Sequence, residues 1–309
     1  MPKTRVGVYG VFGRGNFGNE ATLASFLRRL DPERYEAVII CEAPAAAEAI
    51  HGVRAVRVGV PVDVGSAAGL RRRAITLTNR MGLLLASIRI ARTLDAIVVA
   101  GTGGFERLGT GAFGTPIEIW SLGLGARLAR RPFILLDIGV EYLPRAIGRY
   151  FARGTARFAS YRSYRDSPSR DSVRRMGVRS AAKDPVATDL AFFLEPPRTK
   201  LRPGSTVSVG VMNYRSREST REPSPEVREQ YAAKCIELVR VLQAGGHAVR
   251  LVGGDEEDLV FARGLAETLS DGTPVVDARS ATELVAELSA SEVVVASRYH
   301  TLVMALLAG

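Results

Sequence analysis

The chain reads as an α/β protein built from two Rossmann-like, doubly wound domains, on three observations. Short β-branched runs alternate with helical patterns from the first residues onward, the signature of parallel α/β layers. The alternation breaks once, at Glu195-Pro196-Pro197-Arg198-Thr199-Lys200-Leu201-Arg202-Pro203-Gly204, a charged, proline-rich stretch without periodicity, and then restarts. A chain of 309 residues also exceeds the size at which a single core usually stops growing, and a hydrophobic fraction of 46% can fill two.

Before the break, strands are expected over residues 5–9, 37–41, 55–58, 96–100, 133–137, 157–161 and 186–188, each a short β-branched or apolar run. Helices are expected between them over residues 19–30, 70–93, 117–129, 143–152 and 167–176, and the alanine-rich stretch 43–49 is left unassigned. After the break come a strand over 206–212, a helix over 225–244, a strand over 247–252 and a helix over 256–269. A strand over 274–276, a helix over 281–290, a strand over 292–296 and a last helix over 301–308 complete the pattern. The expected organisation is thus an N-terminal domain over 1–195, a linker over 196–204 and a C-terminal domain over 205–309, in a GT-B-like pairing with strand ends facing a cleft. The second domain is expected to be cut short at its C-terminus.

The net charge of +10 comes from 42 Lys plus Arg against 32 Asp plus Glu, and nearly all the cations are arginine. Arginine suits planar, bidentate capture of carboxylate and phosphate, which points to an anionic small molecule, a phosphorylated sugar or an acidic lipid surface. Nucleic acid is disfavoured, because no zinc spacing, aromatic-plus-basic RNA motif or basic recognition helix accompanies the charge. Cys41 and Cys235 stand alone and far apart, as expected of core residues in a reducing cytoplasm. There is no signal-peptide pattern and no uninterrupted apolar run of about 18 residues, so a cytoplasmic protein is expected. The segment 70–92 mixes Arg71, Arg72, Arg73, Arg80, Arg89 and Arg92 with apolar residues, and reads either as a solvated helix or as a peripheral contact with an anionic membrane surface.

Four strand-to-helix turns carry chemistry. Gly13-Arg14-Gly15-Asn16-Phe17-Gly18 has the G-x-G-x-x-G spacing that brings backbone N–H groups to an anion, and Glu42 stands where an acid would meet a ribose hydroxyl. Gly101-Thr102-Gly103-Gly104 forms a second glycine loop, which a cleft assembled from several strand ends needs and a simple dinucleotide domain does not. In Arg162-Ser163-Tyr164-Arg165-Asp166-Ser167, Asp166 or Ser167 can cap a helix while Arg165 offers a guanidinium beside its N-terminus. Ser297-Arg298-Tyr299-His300 brings a cation, a hydroxyl and one of three histidines to the end of a strand, with Ser297 as helix cap the plainer alternative. Asp189 reads equally as a cap, a salt-bridge partner or a hydroxyl acceptor. Asn213-Tyr214-Arg215 ends a strand and supplies another candidate anion contact, Arg215, whereas His51 and His247 read as structural.

The order of these motifs resembles the polysaccharide pyruvyl transferases, which move pyruvate from phosphoenolpyruvate onto sugar hydroxyls as a cyclic ketal. The residues that carry the resemblance are Gly15-Asn16-Phe17-Gly18-Asn19-Glu20, Ala100-Gly101-Thr102-Gly103-Gly104, Tyr164-Arg165-Asp166-Ser167-Pro168-Ser169 with Met176-Gly177-Val178, Thr188-Asp189-Leu190-Ala191-Phe192, and Ser297-Arg298-Tyr299-His300. Such proteins usually have aspartate where Asn19 stands and leucine where Tyr299 stands, and they continue beyond the helix that His300 opens. The resemblance implies His300 as the catalytic proton carrier and Arg298, Arg165, Arg215 and Ser297 as contacts of phosphoenolpyruvate. It further implies Asn16, Gly18, Glu20, Gly103, Gly104 and Asn213 around a sugar or lipid-linked acceptor, no cofactor beyond the co-substrate, and no obligatory metal. A nucleotide-sugar glycosyltransferase of GT-B type and a non-catalytic sugar- or anion-binding protein remain as alternatives.

Overall fold

The structure is a computed structural model that describes residues 2–58, 69–101, 103, 105, 114–195, 205–213 and 225–309, with the backbone alone described over 69–77. The expected linker 196–204, Gly104 and Arg215 lie outside the described residues. The chain divides into two compact units: Met1–Arg14 with Phe26–Leu190, and Gly15–Ser25 with Ala191–Gly309.

The first unit carries six parallel strands, β1 (Thr4–Tyr9), β2 (Tyr35–Cys41), β3 (Ala55–Arg57), β4 (Ala96–Ala100), β5 (Phe133–Ile138) and β6 (Tyr161–Tyr164), in the order β3-β2-β1-β4-β5-β6. That is the doubly wound order, and its direction reverses between β1 and β4. Val6, Val8, Val38, Ile40, Ile97, Val99, Phe133 and Leu135 are buried because a parallel sheet covered on both faces leaves no strand surface to water. The helices are α1 (Phe17–Arg29), α2 (Pro44–His51), α3 (Gly69–Arg92), α4 (Thr115–Leu128), α5 (Ala146–Phe158) and α6 (Ser167–Arg175); α1 is shared, since its residues up to Ser25 group with the second unit. Cys41 and Cys235 are both buried and unbridged.

Three expectations are corrected here. Residues 157 and 158 are helical rather than strand, because Phe151, Ala152, Thr155 and Ala156 extend a buried stripe of helical spacing that carries α5 on to Phe158. The strand β6 therefore begins four residues later than expected. The strand expected over 186–188 is reduced to one parallel bridge, Tyr164 to Val186. The alanine-rich stretch forms α2, started by Pro44 in its first turn and ended by Gly52 in a left-handed conformation (φ 63°).

The second unit repeats the plan on a smaller scale. Strands β7 (Thr206–Val211), β8 (Ala248–Gly253), β9 (Val275–Val276) and β10 (Val293–Ala296) lie parallel in the order β10-β7-β8-β9, with α7 (Pro225–Ala244), α8 (Glu256–Leu269), α9 (Ala281–Leu288) and α10 (Tyr299–Ala308) between and after them. The order in which strands are added reverses between β7 and β10, while all four stay parallel, so the loops after these two strands stand at a topological switch point, where such sheets bind ligands. Val252, Leu284, Val285, Leu288, Val303 and Met304 form one core cluster together with Phe17 and Ala21. Among the described residues no helix is long and apolar enough to cross a membrane.

Candidate functional site

The reversal between β7 and β10 places Asn213 and the Ser297-Arg298-Tyr299-His300 turn side by side. Ser297 N–H donates to the Gly210 carbonyl (3.0 Å), which extends the β10–β7 pairing by one step before the chain turns into α10. Ser297 does not cap that helix. The N-cap position is Arg298, in extended backbone and without a capping side chain, while the Ser297 hydroxyl accepts from Tyr231 Oη of α7 (2.8 Å). Tyr231 Oη in turn accepts from Met212 N–H (3.1 Å), and burial pushes its phenol up to about 12, against the pull of Ser297. The two strand ends are thereby fixed to one tyrosine.

Arg298 is held by two carboxylates that sequence reasoning missed. Its Nη2 donates to Asp258 Oδ1 (2.8 Å), and its Nε lies 2.6 Å from Asp258 Oδ2 as an ion pair. Asp255 Oδ2 lies 2.9 Å from the same Nη2. Asp258 is fully buried, and it also accepts from the backbone N–H of Asn213 (2.7 Å) and Gly254 (3.2 Å), so its charge is compensated from three directions. Asp255 caps α8 by accepting from Asp258 N–H (2.8 Å). Burial raises the Asp255 carboxyl above its ordinary range; Arg298 opposes the shift and the Asp258 charge adds to it. Gly254 leaves room for this arrangement, because a β-carbon there would stand 2.6 Å from Arg298 Cδ and 3.0 Å from Thr301 Oγ1. The legible signal was Asp255-x-x-Asp258 directly behind a strand and two glycines, the spacing of a helix cap.

The segment Gly15–Ser25 belongs to the same unit, although the sequence reading places it in the first domain. Phe17 N–H donates to the Gly254 carbonyl (3.1 Å), and Asn16 makes an antiparallel bridge with Asp255. Asn16 caps α1: its Oδ1 accepts from Asn19 N–H (3.1 Å) and its carbonyl from Glu20 N–H (3.1 Å). Gly18 then meets His300. A β-carbon at Gly18 would lie 2.1 Å from His300 Cγ and 2.2 Å from Nδ1, so the imidazole rests on bare backbone in the first turn of α1. The Tyr299 ring stands edge-on to the imidazole at 5.1 Å. Glu20 is buried in that same first turn. Of the sequence-predicted site residues, Asn16, Gly18, Glu20, Asn213, Ser297, Arg298 and His300 are thus gathered in one unit.

Arg165 and Gly103 belong to the other unit. Arg165 Nη1 donates to Asp189 Oδ2 (3.3 Å) and its Nε lies 3.6 Å from Asp166. Asp189 is buried, and of its three expected readings the salt-bridge partner is the observed one. Asp166 caps α6 by accepting from Ser169 N–H (2.6 Å), as expected. Beside them Asp137 adopts a left-handed backbone (φ 49°) at the end of β5, a strained position for a non-glycine residue, and accepts from Ser163 Oγ (2.6 Å). Half-buried Gly103 follows β4. Glu42 is engaged by Arg14. At the end of β1, Tyr9 Oη donates to Glu118 Oε2 (2.7 Å), and burial pushes the Glu118 carboxyl up to about 7, Tyr9 opposing and Glu42 adding to the shift. Nothing in the sequence sets Glu118 apart, because a glutamate in the first turn of a helix has an ordinary role there.

Comparisons with known proteins identify the fold and the family. No curated protein sequence matches the chain. Among solved structures, a putative UDP-N-acetylglucosamine 2-epimerase from Listeria monocytogenes is 13% identical, with a TM-score of 0.55 over 97% of this chain and 75% of that one. The UDP-GlcNAc 2-epimerase from Neisseria meningitidis bound to UDP-GlcNAc is 10% identical, with a TM-score of 0.56 over 96% and 78%. The glycosyltransferase SnogD from Streptomyces nogalater is 17% identical, with a TM-score of 0.53 over 99% and 80%. At such identities the likeness is one of fold, and it makes this an α/β protein with two Rossmann-like units of the GT-B kind. The family model for polysaccharide pyruvyl transferase matches residues 16–309, from the asparagine that caps α1 to the end of α10, and the chain belongs to that family.

Proposed function

We propose that this protein transfers a pyruvyl group from phosphoenolpyruvate to two hydroxyls of a sugar, as a cyclic ketal, in the synthesis of a cell-surface polysaccharide. One observation carries the reading: His300 is seated on Gly18 in the first turn of α1, two residues after a fixed Arg298, at the point where strand order reverses. An imidazole is the usual carrier of protons at neutral pH, and a guanidinium is the usual contact for a donor with carboxylate and phosphate close together.

The steps balance without a further reagent. His300 gives a proton to the methylene carbon of the enol, leaving positive charge at the central carbon; a sugar hydroxyl adds there and loses its proton. The carbon–oxygen bond to phosphate then breaks, phosphate leaves with the bonding electrons, and the second hydroxyl adds and loses its proton to close the ring; one of the two hydroxyl protons restores His300 and the other goes to the departing phosphate. Arg298 and Ser297 face the donor's anionic groups in this scheme, and Asn16, Glu20 and Asn213 stand at the same strand ends for sugar hydroxyls.

His300→Ala is expected to abolish ketal formation while phosphoenolpyruvate still raises the melting temperature of the variant. Turnover at the wild-type rate by that variant removes the histidine from the mechanism. Stabilisation of the wild type by UDP- or GDP-sugars but not by phosphoenolpyruvate would replace the reading with nucleotide-sugar transfer, and stabilisation by sugars alone would replace it with binding without catalysis.

A further inference from the structure

The Arg298 guanidinium carries one positive charge between two carboxylates, an odd arrangement for a group that is to receive an anion. The two carboxylates are not equivalent. Asp258 has no exposed side-chain surface, grips the guanidinium through both oxygens and is anchored by two backbone N–H groups. Asp255 stands at the rim, with 16% of its side chain exposed, and meets the guanidinium at Nη2. Removing Asp258 from the arginine would leave a buried charge and two unmet N–H donors, whereas Asp255 can give up its contact with the arginine and still keep its cap on α8.

We propose that Asp255 is an internal anion latch: its carboxylate occupies the outer edge of Arg298 in the donor-free protein and is replaced there by an anionic group of the donor. The inference rests on the donor reading given above. Asp258 is then the permanent counter-ion that keeps the guanidinium in place, and Asp255 the exchangeable one.

The exchange has a proton cost that sets its pH dependence. The titratable and charged groups on the elements around Asp255 are Arg298 from the β10–α10 turn, Glu256, Glu257, Asp258, Arg263 and Glu267 from α8, His300 from α10, and Glu20, Arg28 and Arg29 from α1. Arg298 and the α8 cap favour its charge. Burial already raises the Asp255 carboxyl, and losing Arg298 to an incoming phosphate or carboxylate raises it further, so donor binding favours proton uptake as pH falls toward the Asp255 range. Donor affinity therefore rises as pH falls toward the Asp255 range and declines as pH rises. A latch closed about nine-tenths of the time weakens the apparent affinity about tenfold.

Asp255→Asn and Asp255→Ser test this, since both residues keep the helix cap that Asp255 provides and lack its charge. Calorimetric titration of phosphoenolpyruvate into each protein, in two buffers of different ionisation enthalpy, reads affinity and proton uptake together. Both variants are expected to bind about tenfold more tightly at pH 8 than the wild type, and to lose, in titrations repeated at lower pH, the proton uptake that the wild type shows beyond the donor phosphate's own titration. Equal or weaker binding by variants that melt like the wild type, with unchanged proton uptake, overturns the latch. Proton uptake by the wild type is a second, variant-independent reading. If phosphoenolpyruvate binds none of the proteins but inorganic phosphate or UDP binds the variants more tightly, the donor reading falls and the latch stands. If no anion prefers the variants, the latch falls whatever the donor.

Discussion

Asp258 shows how many groups one buried carboxylate can hold at once. Its side chain holds Arg298, Asn213 N–H and Gly254 N–H at once in full burial, so Asp258→Ala leaves an arginine and two backbone donors without their acceptor. We expect a loss of about 3 to 5 kcal/mol of stability in urea denaturation, as for other buried pairs broken from one side, and a loss below about 1 kcal/mol would mean that water replaces the carboxylate. Glu118 is the pH-sensitive counterpart in the first unit. Its folded-state carboxyl titrates at about 7 against an ordinary 4.5, so the folded protein holds that proton more tightly than the unfolded chain. Stability therefore declines as pH rises from about 4.5 to about 7, by up to about 3 kcal/mol, and is flat above. Glu118→Gln should be more stable than the wild type at pH 8 and should lose this part of the slope; an unchanged slope would assign the effect to other groups. At this scale the sequence was informative about Arg298 and His300, which stand in a recognisable order of types after a strand. It marked Asp255-x-x-Asp258 as a helix cap and nothing more, and gave no sign of Glu118, because what distinguishes a buried partnered carboxylate from a surface one is the tertiary neighbour.

Among the elements, most strands and helices could be read from period and composition, and the misreadings have local causes. Residues 157 and 158 look like the start of a strand only because an apolar helical face and an apolar strand are indistinguishable over so short a stretch. Pro44 and Gly52, at the two ends of α2, were sufficient signals for a helix that the alanine run obscured. Contact between the first turn of α1 and the first turn of α10 could not be read, since glycine in a strand-to-helix turn has several sufficient reasons to be there. That contact is open to a direct test. Gly18→Ala puts a methyl group where the His300 ring lies, 2.1 Å from Cγ, so the imidazole must rotate or α10 must shift. The expected result is loss of turnover with a stability cost of about 1 to 3 kcal/mol, the usual range for overpacking. Wild-type turnover by Gly18→Ala would show that the position of the imidazole on α1 is not needed for catalysis.

For the molecule as a whole, the chain's order in sequence and its order in space differ at one segment, and the difference is energetic. The paired doubly wound plan follows from the alternation of elements, and the strand orders β3-β2-β1-β4-β5-β6 and β10-β7-β8-β9 agree with it. What alternation cannot convey is that Gly15–Ser25 belongs with Ala191–Gly309, because a helix following the first strand is expected to stay with that strand's sheet. The side chains explain it: Phe17 and Ala21 are buried in one cluster with Val252, Leu284, Val303 and Met304. The C-terminal unit is therefore completed by residues from far earlier in the chain, and Phe17 is the buried aromatic ring of that cluster, with Phe192 packed against it only partly buried. Phe17→Ala should destabilise that unit by about 3 to 5 kcal/mol, the usual cost of deleting a buried phenyl ring. Hydrogen exchange locates the effect: amides in α9, α10 and β10 are expected to lose protection while those of β1, β4 and β5 keep it. Uniform loss across both sheets would mean that the two units unfold as one, and unchanged protection over residues 281–308 would mean that Phe17 contributes nothing to the core in which it is buried.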